Sequence, residues 1–201
     1  MSKAVTLASV MAQEPDLGRG GELYATCQAC HQENGSGVKD GSVPHIAGQH
    51  YGYVAAQLVN FRLQYRGNER MQHFVAGNTF SNPQAIADVA AYVAALQPAP
   101  RPAAATVTAS KRGARLFSEI CSQCHSNDGQ GNATLGVPRI AGQYPAYLAR
   151  RIRAIMMRDE HYSNVLVPML VDELSDEDIE AVAGYVASLI TPVPARETPR
   201  E

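Results

Sequence analysis

Two short triplets carry the reactive side chains of this chain. Cys27 and Cys30 are followed directly by His31, and Cys121 and Cys124 by His125, so each reads Cys-x-x-Cys-His. Two thiols three positions apart can each add to one vinyl group of a haem, giving two thioethers. The His that follows then lies under the porphyrin and can bind iron through a ring nitrogen. Both motifs together consume every Cys of the chain, leaving none for a disulfide. A zinc centre is the alternative for such donors, but closing one tetrahedron would need both motifs brought face to face. A thioredoxin-like redox pair would need a βαβ pattern around the motif, and neither motif has one.

The chain also contains itself twice. A shift of 121 − 27 = 94 carries Cys27 to Cys121 and His31 to His125. The same shift aligns Val43-Pro44-His45-Ile46-Ala47-Gly48-Gln49 with Val137-Pro138-Arg139-Ile140-Ala141-Gly142-Gln143, and Tyr53 with Tyr147. Ungapped similarity across this stretch points to duplication of one haem-binding unit. His45 and His50 correspond to Arg139 and Tyr144, so neither reads as a repeated ligand; a surface or haem-edge position suits them better.

Composition fits that organisation. The 201 residues are 45% hydrophobic and 18% charged, a globular balance long enough for two domains. A net charge of −2 argues against a nucleic-acid binder. No apolar run is long enough for a membrane helix, so membrane association is expected only through partners. Residues 13–98 read as the first unit, the Pro/Ala-rich stretch 99–110 as an extended linker, and 111–191 as the second unit. Pro192, Pro194 and Pro199 mark the tail as frayed. Lys3, the apolar run Ala4 to Met11 and small residues before Gln13 read as a truncated signal peptide over residues 1–12. With covalent haem attachment, this predicts a periplasmic protein.

The elements that must position the motifs are helical, making the fold class all-α. Each unit reads as three main helices, the first carrying the haem motif at its C-terminal end. Leu23 and Tyr24 precede Cys27 as Leu116 and Phe117 precede Cys121, one residue further off. The middle helix should present Tyr53, Val54, Leu58 and Phe61, and its repeat Tyr147, Leu148, Ile152 and Ile155. Ile86, Val89, Ala90, Val93 and Leu96 have helical core spacing, matched by Ile179, Val182, Ala183, Val186 and Leu189. Ser81 with Gln84, and Ser175 with Asp178, read as caps of these last helices. The acidic run Asp176 to Asp178 suits a helix N-terminus or a docking face. Met156 and Met157 read as core. Arg150, Arg151 and Arg153 read either as a patch steering an acidic partner or as a solvated face.

The duplicated motif, the Pro-x-Ile-Ala-Gly-Gln segment and the closing Ala-x-Tyr-Val-Ala helix resemble the dihaem class I cytochromes c of the cytochrome c-four type, from about Leu17 to Ile190. The resemblance implies two tandem class I cytochrome c domains related by pseudo-twofold symmetry, each with one covalently bound haem c. It implies an electron carrier and not an enzyme. Its partners would be redox proteins such as a quinol-cytochrome reductase, a dehydrogenase or a terminal oxidase. The alternative is a dihaem subunit of a sulfur-compound dehydrogenase, or a dihaem oxidoreductase. Cys27, Cys30, Cys121 and Cys124 resemble the thioether anchors, and His31 and His125 the proximal ligands. Pro44 and Pro138 resemble the proline whose carbonyl accepts a bond from the proximal imidazole. Tyr51, Tyr53, Tyr144 and Tyr147 serve either haem propionates or core packing. The usual distal ligand is Met. Met169 fills that role in the second unit, with His161 in reserve. In the first unit Met71 competes with His73, whose spacing before Phe80 needs no gap.

Two haems per chain are therefore expected to resist acid-acetone extraction. Fewer than two from fully matured protein, or zinc in their place, would defeat the assignment.

Overall fold

A computed structural model describes residues 5–98, 110–157 and 166–189. The elements of the described residues are helices, with one isolated antiparallel bridge between Asn132 and Val137. The linker segment 99–109, residues 1–4 and the tail from 190 lie outside them.

In the first half, α1 is Leu7–Met11, α2 Leu17–Tyr24, α3 Gln28–His31, α4 Tyr51–Arg62, α5 Glu69–Ala76 and α6 Pro83–Ala95. In the second, α7 is Lys111–Leu116, α8 Ser122–His125, α9 Pro145–Met156, α10 Leu166–Val171 and α11 Asp176–Ser188. The stripes expected on α6 and α11 are buried: Ile86, Val89, Ala90 and Val93 centre one core, Ile179, Val182, Ala183 and Val186 the other. Ser175 caps α11 in a reciprocal box with Asp178. The first half differs. Asn82, not Ser81, caps α6 by accepting from the Gln84 N–H, because Pro83 occupies the first helical position and starts the helix one residue later. The haem motif also departs from expectation: α2 ends at Tyr24, and Cys27 opens the separate short helix α3. On α4 the buried residues are Ala55, Val59 and Phe61, whereas Val54 and Leu58 are half-buried. On α9 they are Leu148 and Ala149. Ala55 and Ala149 are buried members of the cores that α6 and α11 centre. Met156 packs on the second core, but Met157 is 68% exposed, because it falls at the C-cap of α9.

Two glycines set the crossing of the first and last helices. A Cβ at Gly20 would run into the Asp88 carbonyl and sit 2.8 Å from Tyr92 Cβ. At Gly113 it would run into the Ala181 carbonyl and sit 3.0 Å from Tyr185 Cβ. Beside each crossing an aromatic pair closes the contact: Tyr24 with Tyr92 at 5.3 Å and Phe117 with Tyr185 at 5.4 Å. Here the repeat runs at 113 − 20 = 93, not 94. The extra residue before Cys121 is absorbed by a π-helical turn, Phe117–Cys121, which keeps Phe117 buried while delivering the thiol one position later.

The segment read as a leader has structure of its own. Thr6 and Ser9 form a capping box on α1, and Val5 and Val10 belong to the first core, Val10 fully buried. A cut before Gln13 would strip both from that core. Sequence reasoning also missed Asp88, 1% exposed on α6. Its carboxylate accepts from Arg19 Nε (2.9 Å), the Asp16 N–H (2.7 Å) and Gln84 Nε2 (2.8 Å), pinning the start of α2 to α6. Burial alone would push this carboxyl up; those donors outweigh it and hold it below the usual carboxylate range.

The halves join through a reciprocal pair of glutamines. Gln49 Nε2 donates to the Arg139 carbonyl (2.8 Å) and its Oε1 accepts the Arg139 N–H (2.9 Å). Gln143 Nε2 donates to the His45 carbonyl (2.7 Å) and its Oε1 accepts the His45 N–H (3.1 Å). Each member of one set is the 94-residue mate of the other, so the bonds obey a pseudo-twofold. The neighbours follow suit: His50 Nε2 reaches the Gln130 carbonyl (2.8 Å), and the Tyr144 hydroxyl donates to the Ser36 carbonyl (2.9 Å). His45 and His50 are thus interface residues.

Gly20→Ala or Gly113→Ala is expected to cost about 1–3 kcal/mol by overpacking the crossing, read by denaturant unfolding. Asp88→Asn should cost about 1.5–3 kcal/mol at neutral pH, as a charged acceptor is lost. The sign follows from the depressed carboxyl. Its stabilisation is present above the unfolded value of about 4 and fades as pH falls through the lower folded value. The difference between Asp88→Asn and the parent chain should therefore shrink in acid; a gap constant with pH would contradict it.

Candidate haem sites

Each proximal imidazole is held by a backbone carbonyl. His31 Nδ1 lies 3.2 Å from the Pro44 carbonyl, and His125 Nδ1 lies 2.9 Å from the Pro138 carbonyl. A carbonyl can only accept, so the proton sits on Nδ1 and the Nε2 lone pair is left for a metal. Burial pushes both imidazoles down, opposed in part by that bond, so both are neutral at pH 7. Gly37 and Gly131 make room for the arrangement. Both have positive φ (69° and 71°), and a Cβ on either would run into the Pro44 or Pro138 carbonyl. Their N–H groups also bond the His31 and His125 carbonyls at 3.0 and 2.8 Å.

The backbone just past each His is strained. Gln32 (φ 66°, ψ 163°) and Ser126 (φ 66°, ψ 161°) occupy a region that is essentially reserved for Gly. Such a conformation costs about 1–3 kcal/mol. It recurs at matching positions because the chain must turn sharply there to bring the proline loop back over the ring. Sequence reading had no signal for it, since neither residue is Gly.

The thiols complete the donor set. All four Cys are free, and burial pushes Cys27 up and Cys121 up to about 11. Thiolate metal binding favours the opposite shift. Among the described residues no three His, Cys, Asp or Glu side chains gather as a metal site. Half-buried Ile46, Val54 and Leu58, with Ile140 and Ile152 in the second half, border the cores and offer apolar surface to a flat macrocycle. Free Nε2, neutral imidazole, paired thiols and apolar border together fit a covalently held haem in each half.

The distal candidates lie on α5 in the first half and on α10 in the second. Met71 is half-buried on α5, its N–H capped by Asn68 Oδ1 at 3.0 Å. His73 is exposed on the same helix, its ring edge-on to Phe74. Met169 on α10 is 68% exposed and borders a surface pocket with Leu116, Ile120 and Leu174. His161 lies outside the described residues. Tyr51 packs on the first core with its buried hydroxyl lacking a hydrogen-bond partner among the described residues, whereas Tyr144 and Tyr147 bond across the interface. The basic run is engaged rather than free for steering. Arg153 pairs with Asp176 and Glu180, and Arg150 donates to the Gly41 carbonyl.

With that geometry in place, comparison decides the family. Residues 17–97 and 110–189 each match the family model described as cytochrome c. The chain belongs to the cytochrome c family. It is 28% identical to cytochrome c4 of Azotobacter vinelandii, over 87% of this chain and 89% of that protein. It is 29% identical to the thiosulfate dehydrogenase electron acceptor of Thiomonas intermedia, over 82% and 78%. The crystal structure of reduced recombinant cytochrome c4 from Pseudomonas stutzeri superposes with a TM-score of 0.77 at 25% identity, covering 88% of this chain and all of that one. As a member with two cytochrome c domains, the protein is a dihaem electron carrier with two covalently bound haem c groups, as the sequence led one to expect. No helix among the described residues is long and apolar enough to cross a membrane.

Proposed function

We propose that this cytochrome c relays electrons in the periplasm between redox proteins, delivering them toward a terminal oxidase. The observation that carries the reading is the repetition of one proximal arrangement, imidazole Nδ1–H on a proline carbonyl, in two halves clasped by reciprocal glutamines. When bound, each haem supplies a one-electron centre. Cys27 and Cys30 would anchor the first through thioethers, Cys121 and Cys124 the second. His31 and His125 would supply the proximal nitrogens, with the Pro44 and Pro138 carbonyls holding ring orientation and raising ligand basicity. Residues 13–98 and 111–191 are the two carrier units, with 99–110 between them. Val5 and Val10, from the segment before the first unit, pack into its core.

In the second unit Met169, at the rim of a pocket with Leu116, Ile120 and Leu174, would serve as the distal ligand on the usual His/Met pairing. In the first, Met71 is favoured over His73, because a half-buried thioether loses less on leaving water than an exposed imidazole that its neighbour Phe74 already flanks. Met71→Ala should abolish the first haem's sulfur-to-ferric-iron charge-transfer band while His73→Ala keeps it; the reverse dependence would hand the site to His73.

A second reading follows from the similarity to a thiosulfate dehydrogenase electron acceptor: the donor is a sulfur-compound dehydrogenase. Stopped-flow mixing separates the readings. The reduced holoprotein should pass electrons to a terminal oxidase, and thiosulfate alone should leave the oxidised protein unreduced. Reduction by thiosulfate only when the dehydrogenase is added would support the second donor. Turnover of thiosulfate by the isolated chain would overturn the carrier reading.

A further inference from the structure

The glutamine bonds obey the pseudo-twofold, but one flank of the interface does not. Gly41 (φ 81°) lies so close to the start of α9 that a Cβ there would sit 2.8 Å from the Tyr147 nitrogen. Arg150 Nη2 donates to the Gly41 carbonyl at 2.7 Å, and Arg66 Nη2 donates to the Tyr147 hydroxyl at 2.8 Å. A shift of 94 maps Gly41 to Leu135 and Arg150 back to Ala56. Leu135 is 75% exposed, and Ala56 has no side-chain donor, so the bond from Arg150 to Gly41 cannot be repeated on the opposite flank.

This flank leads to α5, the helix that carries the first half's distal candidates. Arg66 is 7% exposed; its guanidinium lies over the Phe61 ring at 4.6 Å and reaches Gln57 Oε1 at 2.6 Å on α4. Its own carbonyl accepts from Gln72 Nε2 at 2.9 Å, next to Met71 on α5. At the far end of α5, Arg62 Nη1 donates to the Val75 carbonyl at 2.7 Å. Helix α5 is thus tied to Arg66 through the main chain, and Arg66 to the second half through its side chain.

We propose that Arg66 is a positioning residue through which the second half biases the distal side of the first haem. It braces the helix carrying Met71 and His73 against Tyr147. The proposal rests on the dihaem reading but holds for either distal candidate, since both lie on α5. A fixed guanidinium bonded to both sides transmits displacement; a solvated lysine or a water-filled gap would not.

The test is Tyr147→Phe in the holoprotein, which deletes the hydroxyl acceptor and keeps the ring. Haem is counted first, then each haem's reduction potential is read by spectroelectrochemistry, with the haems assigned by NMR through their Cys thioethers. A shift of the first haem's potential with the second's unmoved is expected. The shift should vanish when Tyr147→Phe is made in a Gln72→Leu background, because that link is then already cut. No shift, a shift of both haems, or a shift of the second alone would overturn the brace. A shift undiminished in the Gln72→Leu background would overturn the route through Arg66. Fewer than two haems in the parent protein would overturn the dihaem reading itself, and the brace with it.

Discussion

One hydrogen bond organises each half: a proline carbonyl turned toward an imidazole. For the Pro44 carbonyl to meet His31 Nδ1, the chain must reverse within a few residues of the ring. That reversal forces Gln32 into strained backbone and requires a glycine at Gly37, whose missing Cβ leaves the carbonyl room. The same residues recur as Ser126, Gly131 and Pro138 around His125. A strain of about 1–3 kcal/mol persists twice in one chain only if the surroundings over-determine it. Those surroundings are the crossing of the first and last helices, fixed by Gly20 and Gly113, and the proline loop that returns against them.

The proline loop that orients the ring also builds the interface. Gln49 and Gln143 stand at the end of the Pro-x-Ile-Ala-Gly-Gln segment and reach across to the opposite loop at Arg139 and His45. Anything that moves one proline loop therefore presses on its mate. The reciprocal bonds give this contact its symmetry, while the bond from Arg150 to Gly41 breaks it on one side. A duplicated protein needs such a break if its two centres are to differ, because identical environments give identical properties.

Much of this could be read from the residues. The all-α class, the duplication, the apolar stripes of the last helices and the Ser175 cap follow from spacing, since periodicity and capping are local. The Cys and His donors are legible because covalent chemistry dictates their spacing. What escaped depends on partners distant in sequence. Asp88 looks like an ordinary polar residue on a helix until α2 brings Arg19 and the Asp16 N–H to it. Gly20 and Gly113 carry no turn signal, and only the crossing helix reveals why nothing larger fits; their matching spacing before Tyr24 and Phe117 was the available clue. The apolar run Ala4 to Met11 suits a leader as well as a short packed helix, and only burial of Val10 shows the second use. Arg150 and Arg153 read as free charge because their acceptors, the Gly41 carbonyl, Asp176 and Glu180, come from other segments.

The central claim is that each half presents one imidazole whose Nδ1–H donates to a proline carbonyl, leaving Nε2 for iron. Proton–nitrogen NMR of the reduced holoprotein tests it directly. The account predicts two Nδ1–H signals protected from solvent exchange, one assigned to His31 and one to His125, with both Nε2 atoms bound to iron. A single protected signal, or iron on Nδ1 in either ring, would contradict it.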